Sequence, residues 1–139
     1  MENALADTGL WYAMFDRRDQ YHSEAKKKAA ALEPFRIVLP WPTLYETLRT
    51  KFVKNSVALG QFERFLKRPN VTYLDDSSFR NAAFEMALES SLRQGRPLSM
   101  VDCLIRLLLE DVTTRIGYLA TLNVQDFADV CRKKGIEII

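Results

Sequence analysis

The sequence predicts an α/β fold, a three-layer sandwich in which a central parallel sheet of about five strands lies between two layers of helices. Short apolar runs alternate with longer segments in which apolar residues recur at helical spacing, as in a parallel sheet covered on both faces. The length of 139 residues and the hydrophobic content of 47% suit one sizeable core. We therefore expect a single domain over residues 1–139.

Five short runs are the strand candidates, because each combines apolar residues with a length typical of strands. They are Asn3 to Ala6, Arg36 to Leu39, Val71 to Leu74, Arg115 to Ala120 and Ile136 to Ile139. Helices are predicted to fill the intervals between them.

The helical stripes begin after Asp7, where a turn leads into a first helix, and continue over residues 21–32, 41–52 and 58–66. Breaks are predicted near Asn55-Ser56 and at Gly60, because these residues disfavour a helix interior. A long helix is predicted to start near Asp76-Ser77-Ser78, whose side chains can cap its first turn, and to end before Gln94.

Composition limits the classes of function. The net charge is +2, with 20 basic and 18 acidic residues, so any basic surface must be local. Cys103 and Cys131 lack the spacing of a metal motif, which favours a reduced, intracellular protein. No apolar run is long enough to span a bilayer, so we expect a cytoplasmic protein without a membrane segment.

Three carboxylates, Asp7, Glu46 and Asp102, stand where strands or helices begin or end and interrupt apolar patterns. In open α/β sheets, ligands bind at the carboxyl ends of strands, where Asp7 is predicted to lie. Converging carboxylates repel one another unless they surround a cation or have raised pKa values. Because Mg²⁺ and Mn²⁺ prefer oxygen ligands, the three residues are candidates for a metal site.

Each of these carboxylates also has an ordinary structural interpretation. Asp7 is a natural N-cap for the following helix. Glu46 is typical of a solvated helical glutamate close to Arg49, and Asp102 can pair with Arg106 at helical spacing. The sequence alone leaves both sets of interpretations open.

Four short motifs, taken in their order and spacing, resemble those of the PIN-domain nucleases, particularly the bacterial toxins of the VapC type. The motifs are Asp7-Thr8-Gly9-Leu10-Trp11, Pro42-Thr43-Leu44-Tyr45-Glu46, Ser99-Met100-Val101-Asp102 and Thr121-Leu122-Asn123-Val124-Gln125-Asp126-Phe127. The resemblance covers nearly the whole chain. It implies a PIN-like fold and a Mg²⁺- or Mn²⁺-dependent endoribonuclease that hydrolyses RNA phosphodiesters. It also implies a homodimeric toxin that a small antitoxin protein inhibits.

The resemblance assigns the first three acidic ligands to Asp7, Glu46 and Asp102. The fourth position departs from the family pattern, because Asn123 stands where many members have an aspartate. Asp126, one helical turn later, is the candidate substitute. A weaker fourth ligand lowers the charge of the site and leaves open whether it holds one metal ion or two.

Neighbouring residues complete the candidate site. The hydroxyl groups of Thr8 and Thr121 are placed to orient a water molecule or a phosphate oxygen. RNA also needs a positive rim around an acidic site, and Arg49 is the preferred candidate. The other candidates are Arg17-Arg18, Lys51, Lys54, Arg93 and Arg96.

Two other functions fit the predicted fold class. A phosphoacceptor receiver domain also carries carboxylates at strand ends, and Asp75-Asp76 follow the third strand candidate. A catalytically inactive PIN-like module that only binds protein or RNA is the other possibility, with Asn123 as its sole sequence support.

Overall fold

The computed structural model describes residues 1–139 and contains one parallel sheet and eight α-helices. The strands are β1 (Asn3–Ala6), β2 (Arg36–Pro40), β3 (Val71–Leu74), β4 (Ile116–Ala120) and β5 (Glu137–Ile138). The helices are α1 (Thr8–Phe15), α2 (His22–Ala31), α3 (Trp41–Thr47), α4 (Thr50–Val53), α5 (Ser56–Leu66), α6 (Arg80–Leu92), α7 (Met100–Glu110) and α8 (Ala128–Lys134). None of them combines the length and apolar character needed to cross a membrane.

The sheet has the strand order β3-β2-β1-β4-β5, and every neighbouring pair is parallel. The chain moves outward from β1 to β3 and then crosses to the other side of β1, so the direction reverses between β1 and β4. Ligands of open α/β sheets bind at such a switch point. The predicted three-layer α/β class is confirmed, and the receiver alternative is wrong, since receivers have the order 2-1-3-4-5.

Side chains of the strands alternate between two buried layers. Ala4 and Ala6 of β1 face the core beneath helices α1 to α5, whereas Leu5 faces the core beneath α6 to α8. This alternation follows from the two-residue period of a strand. Because both faces are covered, the inner strands β1, β2 and β4 carry successive buried apolar residues, which is the pattern that predicted them.

Helix α1 is anchored by an aromatic cluster. Trp11 is 1% exposed, and its ring centroid lies 6.0 Å from that of Phe62 and 4.5 Å from that of Phe65 on α5. Buried aromatic pairs of this kind contribute both apolar area and ring-to-ring attraction. The cluster therefore holds α1, whose first turn begins beside Asp7, against the rest of the fold.

The strand bounds agree with the prediction to within two residues. Arg115 lies outside β4 because its φ of 54° is left-handed, which is incompatible with a strand. The break at Asn55 is confirmed, whereas the predicted break at Gly60 is wrong, because α5 continues through it. Packing of the aromatic face of α5 outweighs the helix penalty of one glycine, about 1 kcal/mol.

The predicted helical stripe over residues 41–52 is two helices. Leu48 has a ψ of 38° and Arg49 a ψ of 170°, so α3 ends before them and α4 starts after them. Glu46 consequently lies in the last turn of α3, where the sequence had placed it early in a longer helix.

The long helix α6 also starts later than predicted. A short 3-10 helix at Ser77–Phe79 precedes it, and Asp76 makes no capping hydrogen bond. Asp76 instead pairs with Arg80, with Nε and Oδ2 3.1 Å apart, while Asp75 accepts from the Ser77 amide.

Replacing Asn55 with alanine is expected to lower the free energy of unfolding by about 1 kcal/mol, because Asn55 is the N-cap of α5. Its Oδ1 accepts a hydrogen bond from the Ala58 amide at 3.1 Å, and no other side chain caps this helix. Urea unfolding followed by circular dichroism measures the change. Asn55→Ser, which keeps a capping oxygen, should remain close to wild type, and equal losses in both variants would contradict the capping role.

Candidate active site

Asp7 follows β1 directly and lies at the switch point of the sheet. Its Oδ1 accepts from the Thr8 amide at 2.7 Å, so it caps α1, and its Oδ2 accepts from the Thr121 hydroxyl at 3.0 Å. Thr121 follows β4, the neighbouring strand, and both residues are buried. Asp7 thus has the capping role, and it also lies where the sequence predicted the candidate site.

The Asp7 carboxylate is electrostatically costly. Burial raises its pKa to about 6, against the hydrogen bonds from Thr121 and Thr8, which lower it. The negative charges of Asp102 and Glu46 raise it further. Thr8 bonds both Asp7 and Glu46, and the charge of Asp102 acts on Asp7. The three sequence-predicted acids therefore lie near one another.

Glu46 is joined to α1 by hydrogen bonds. The Thr8 hydroxyl donates to its Oε1 at 2.9 Å, and the Tyr12 hydroxyl donates to its backbone carbonyl oxygen. Arg49 forms no ion pair with Glu46; its guanidinium carbon lies 4.4 Å from the centroid of the Tyr12 ring. The break after α3 therefore leaves the Glu46 carboxylate exposed but tethered beside Asp7.

Asp102 is the third residue of α7, and its amide donates to the hydroxyl of the N-cap Ser99 at 3.0 Å. Burial raises the pKa of its carboxyl, hydrogen bonding with Ser99 lowers it, and the charge of Asp126 raises it. The alternative pairing with Arg106 is wrong, because Arg106 binds Asp129 instead, with Nη1 and Oδ1 2.7 Å apart. Asp102 is left without a cationic partner.

Both candidates for the fourth ligand lie in the segment after β4. The Asn123 amide donates to the Thr121 hydroxyl at 2.9 Å, and the Asn123 side-chain amide donates to Oδ2 of Asp126. Asp126 is thereby held toward Asp102, whose pKa its charge raises. The asparagine orients the aspartate, so the two residues act together.

The four acids Asp7, Glu46, Asp102 and Asp126 form no salt bridge. Their carboxylate oxygens are the hard donors that Mg²⁺ and Mn²⁺ prefer, and a cation would relieve the repulsion between them. No three acidic, histidine or cysteine side chains converge closely enough to hold an ion as they stand. The donor chemistry fits a divalent ion, and Glu46, whose side chain is exposed, has room to move toward it.

A groove of about 460 Å³ reaches Asn123, although none of the four acids lines it. Its lining includes Tyr12, Arg49, Lys51 and Asn123. Arg49 therefore faces the groove next to the acidic cluster, as a positive rim requires.

The supporting contacts of several residues were missed by the sequence analysis. Arg106 makes two hydrogen bonds to Asp129, at 2.7 and 2.8 Å, and donates to the Asp126 carbonyl oxygen at 2.8 Å. Arg96 also pairs with Asp129, at 3.1 Å. These contacts join residues 20 to 33 positions apart, so local spacing carries no signal for them. Tyr12 had a weak signal, since it lies one helical turn after Thr8.

No family model matches the sequence, and no curated protein matches it. The structure is similar to the crystal structure of VapC20 from Mycobacterium tuberculosis, a toxin that cleaves the sarcin-ricin loop. The TM-score is 0.70 at 19% sequence identity, over 91% of this chain and 94% of VapC20. This chain therefore has the PIN-like α/β fold that the sequence resemblance implied.

Proposed function

We propose that this protein is a divalent-metal-dependent endoribonuclease and the toxin of a toxin-antitoxin pair. The observation that carries the proposal is the gathering of Asp7, Glu46, Asp102 and Asp126 at the switch point of the sheet without a cationic partner. Such a cluster destabilises the fold unless a bound cation offsets the repulsion between its carboxylates. Binding a hard divalent ion is the function that accounts for its cost.

Asp7, Glu46, Asp102 and Asp126 are the proposed ligands of Mg²⁺ or Mn²⁺, with Asn123 orienting Asp126 and supplying a neutral oxygen. When bound, such an ion lowers the pKa of a coordinated water and offsets charge that develops on a phosphodiester. Hydrolysis would join the oxygen of a water to phosphorus and break the bond from phosphorus to the leaving ribose oxygen, and the proton lost by the water would balance the one gained by that oxygen.

The remaining roles belong to groups around the acids. Thr121 fixes the rotamer of Asp7, and Thr8 fixes that of Glu46, through the hydroxyl bonds described above. Arg49 and Lys51 line the adjoining groove, where they can bind phosphate oxygens of the substrate. The groove also carries Arg18, Asp16 and Asp19, and because Arg18 pairs with Asp16, Arg49 and Lys51 are its cations without a salt bridge.

The similarity to VapC20 supports the proposal at the level of reaction class. VapC20 is a toxin that cleaves the sarcin-ricin loop, and this chain shares its fold over nearly the full length of both. At 19% identity, we extend to this protein an RNA substrate and a small inhibitory antitoxin, and no particular cleavage site.

We further propose that the protein forms a homodimer and acts in the cytoplasm. The dimer would use an exposed apolar surface formed by Trp41, Tyr45, Leu48 and Tyr73. The rings of Trp41 and Tyr73 stack with centroids 5.1 Å apart, and aromatic residues are enriched in such interfaces.

The proposal is tested by incubating the purified protein, free of any antitoxin, with a mixed RNA pool in Mg²⁺ or Mn²⁺ and in chelator. Wild type should cleave only with metal. Glu46→Gln should lower the rate by about 10²-fold, because it removes one charged ligand and keeps the hydrogen bond from Thr8.

The matched control is Glu85→Gln, an exposed glutamate on α6 that makes no hydrogen bond or salt bridge. It should cleave at the wild-type rate. If wild type neither cleaves RNA nor binds Mn²⁺ by calorimetry, the nuclease proposal is wrong. The second candidate function, a non-catalytic PIN-like binding module favoured by Asn123, would then take its place.

A further inference from the structure

A second basic cavity lies away from the candidate active site. It has a volume of about 410 Å³, and its lining includes the cations Arg17, Lys26, Arg64 and Arg68. They come from three places that tertiary packing brings together: the segment after α1, the first half of α2, and α5 with the turn that follows it. The cavity is not part of the acidic cluster.

The four cations of this cavity are not neutralised by acidic side chains. No acidic residue lines the cavity, and none of the four forms a salt bridge. Their neighbours are paired, since Arg18 binds Asp16 and Lys67 binds Glu63, both at 3.6 Å. Four like charges around one cavity concentrate positive potential there, in a protein whose net charge is only +2.

Contacts with buried residues and between helices fix parts of the cavity wall. The Arg68 guanidinium carbon lies 5.5 Å from the ring centroid of the buried Phe65. His22 Nδ1 donates to the Ala13 carbonyl oxygen at 2.8 Å, which ties the start of α2 to α1. Binding a ligand here therefore costs less conformational entropy than at a fully mobile surface.

A chain of adjoining grooves leads from this cavity to Asn123, which bonds Asp126 of the acidic cluster, and passes Asp16 and Asp19 on the way. The groove beside Asn123 shares Asp16, Arg18 and Asn55 with a middle groove. The middle groove in turn shares Phe15, Arg17 and Gln61 with the basic cavity. A ligand can therefore pass from one site to the other along the protein surface.

The distance suits an RNA strand. Helix α1 runs from Thr8, beside the acids, to Phe15, at the basic cavity, which is about 10 Å along the helix axis. A stacked strand rises about 3.4 Å per nucleotide, so at least about three nucleotides separate the two sites. A polyanion of regular charge fits this arrangement better than a compact acidic ligand.

We propose that Arg17, Lys26, Arg64 and Arg68 form a second RNA-binding site, which holds backbone phosphates of the substrate several nucleotides from the scissile bond. This inference rests on the proposed function for the identity of the polyanion. The site sets the length of RNA that binds well and takes no part in the chemistry.

The test measures RNA binding in chelator, so that no cleavage is needed. Fluorescence anisotropy compares single-stranded RNAs of about 4 and about 16 nucleotides, the range of sizes that single-strand sites cover. The double variant Arg64→Gln/Arg68→Gln should bind the long RNA at least about 10-fold more weakly and the short RNA nearly as wild type does. Loss of two phosphate contacts should lower the slope of log K against log salt by about 1.4.

The matched control is Lys133→Gln/Lys134→Gln, which removes the same charge from two exposed residues of α8. It should bind both RNAs as wild type does, and an equal loss in both double variants would overturn the inference in favour of net charge alone. Polyglutamate is the competing probe. If it displaces the long RNA and depends equally on Arg64 and Arg68, the cavity is a site for acidic peptides and the inference is wrong.

Cleavage in Mn²⁺ separates this inference from the proposed function. The Arg64→Gln/Arg68→Gln variant should raise KM for the long RNA and leave kcat unchanged. Long-RNA binding that depends on the cavity, in a protein that never cleaves, would support the inference and overturn the nuclease. Cleavage with the same KM in wild type and variant would support the nuclease and overturn the inference.

Discussion

Replacing Asp7 with asparagine is expected to stop RNA cleavage and at the same time to stabilise the metal-free protein. The variant keeps the capping oxygen for the Thr8 amide but removes the buried charge at the centre of the acidic cluster. A metal ligand is worth several kcal/mol in the transition state, and about 4 kcal/mol corresponds to a loss of about 10³-fold in kcat. Single-turnover cleavage in Mn²⁺ measures this loss.

The stabilisation follows from the direction of the pKa shift. The folded-state pKa of Asp7, about 6, lies above the ordinary 3.8, so the folded state binds the proton more tightly than the unfolded state. Wild-type stability therefore falls as pH rises through 6, by up to about 3 kcal/mol.

In chelator, the Asp7→Asn variant should thus be up to about 3 kcal/mol more stable than wild type at pH 8, and nearly equal to it at pH 4. Urea unfolding at the two pH values measures the difference. Asp75→Asn is the matched control, because hydrogen bonds from Ser77 lower the pKa of that exposed carboxyl. It should gain no stability at pH 8 and should cleave normally. An Asp7→Asn variant that cleaves RNA at the wild-type rate would remove Asp7 from the proposed ligands.

Replacing Asp129 with asparagine is expected to destabilise the protein and to slow cleavage, although Asp129 is not a proposed ligand. Asp129 holds Arg106 through two hydrogen bonds, and the Arg106 side chain is only 15% exposed. Loss of the Asp129 carboxylate leaves the mostly buried guanidinium of Arg106 without its ionic partner. We expect a loss of about 2 kcal/mol, below the usual cost of a buried pair because Asp129 is half exposed.

The same substitution should lower the cleavage rate by about 10-fold, because Arg106 also donates to the Asp126 carbonyl oxygen and so holds the segment that carries Asn123 and Asp126. The control is Glu89→Gln, which removes the exposed pair with Arg93. It should cost less than about 0.5 kcal/mol and leave cleavage unchanged. A rate loss in Asp129→Asn without any change in stability would contradict this positioning role.

The Asp129 prediction has a pH signature opposite to that of Asp7. Hydrogen bonds from Arg106 hold the pKa of the Asp129 carboxyl well below its usual range. Because the folded-state pKa lies below the ordinary value of about 4, Asp129 stabilises the fold at any pH above about 4. This stabilisation is lost progressively as the pH falls below that value. The difference between wild type and Asp129→Asn should therefore be full at pH 7 and shrink in acid, as denaturation at several pH values would show.

Some features of this protein follow from short-range physics and were predicted on that basis. The strands β1 and β3 have the predicted bounds. For β1 the reason is that a strand buried on both faces must be apolar at successive positions. Asn55 lies between α4 and α5 and caps α5 through its own side chain. The position of Asp7 after β1 was likewise visible, since a carboxylate interrupts an apolar run there.

Other features depended on packing that local sequence does not encode. Gly60 remains helical because the aromatic face of α5 is buried, and the chain breaks at Leu48 despite a continuous apolar stripe. Arg106 had a partner one turn away in Asp102, yet it binds Asp129, because α7 and α8 pack together with the two side chains facing each other.

The sequence by itself determined the α/β class, the order of the strands along the chain and the three acids that lie where elements begin or end. Those properties depend on periodicity and on neighbours within a few residues. Tertiary structure alone decided the strand order within the sheet, the unpaired state of Asp102 and the convergence of Arg17, Lys26, Arg64 and Arg68 on one cavity. The physical reason is that burial and charge pairing depend on distances in space, which segments far apart in the chain create only when they pack.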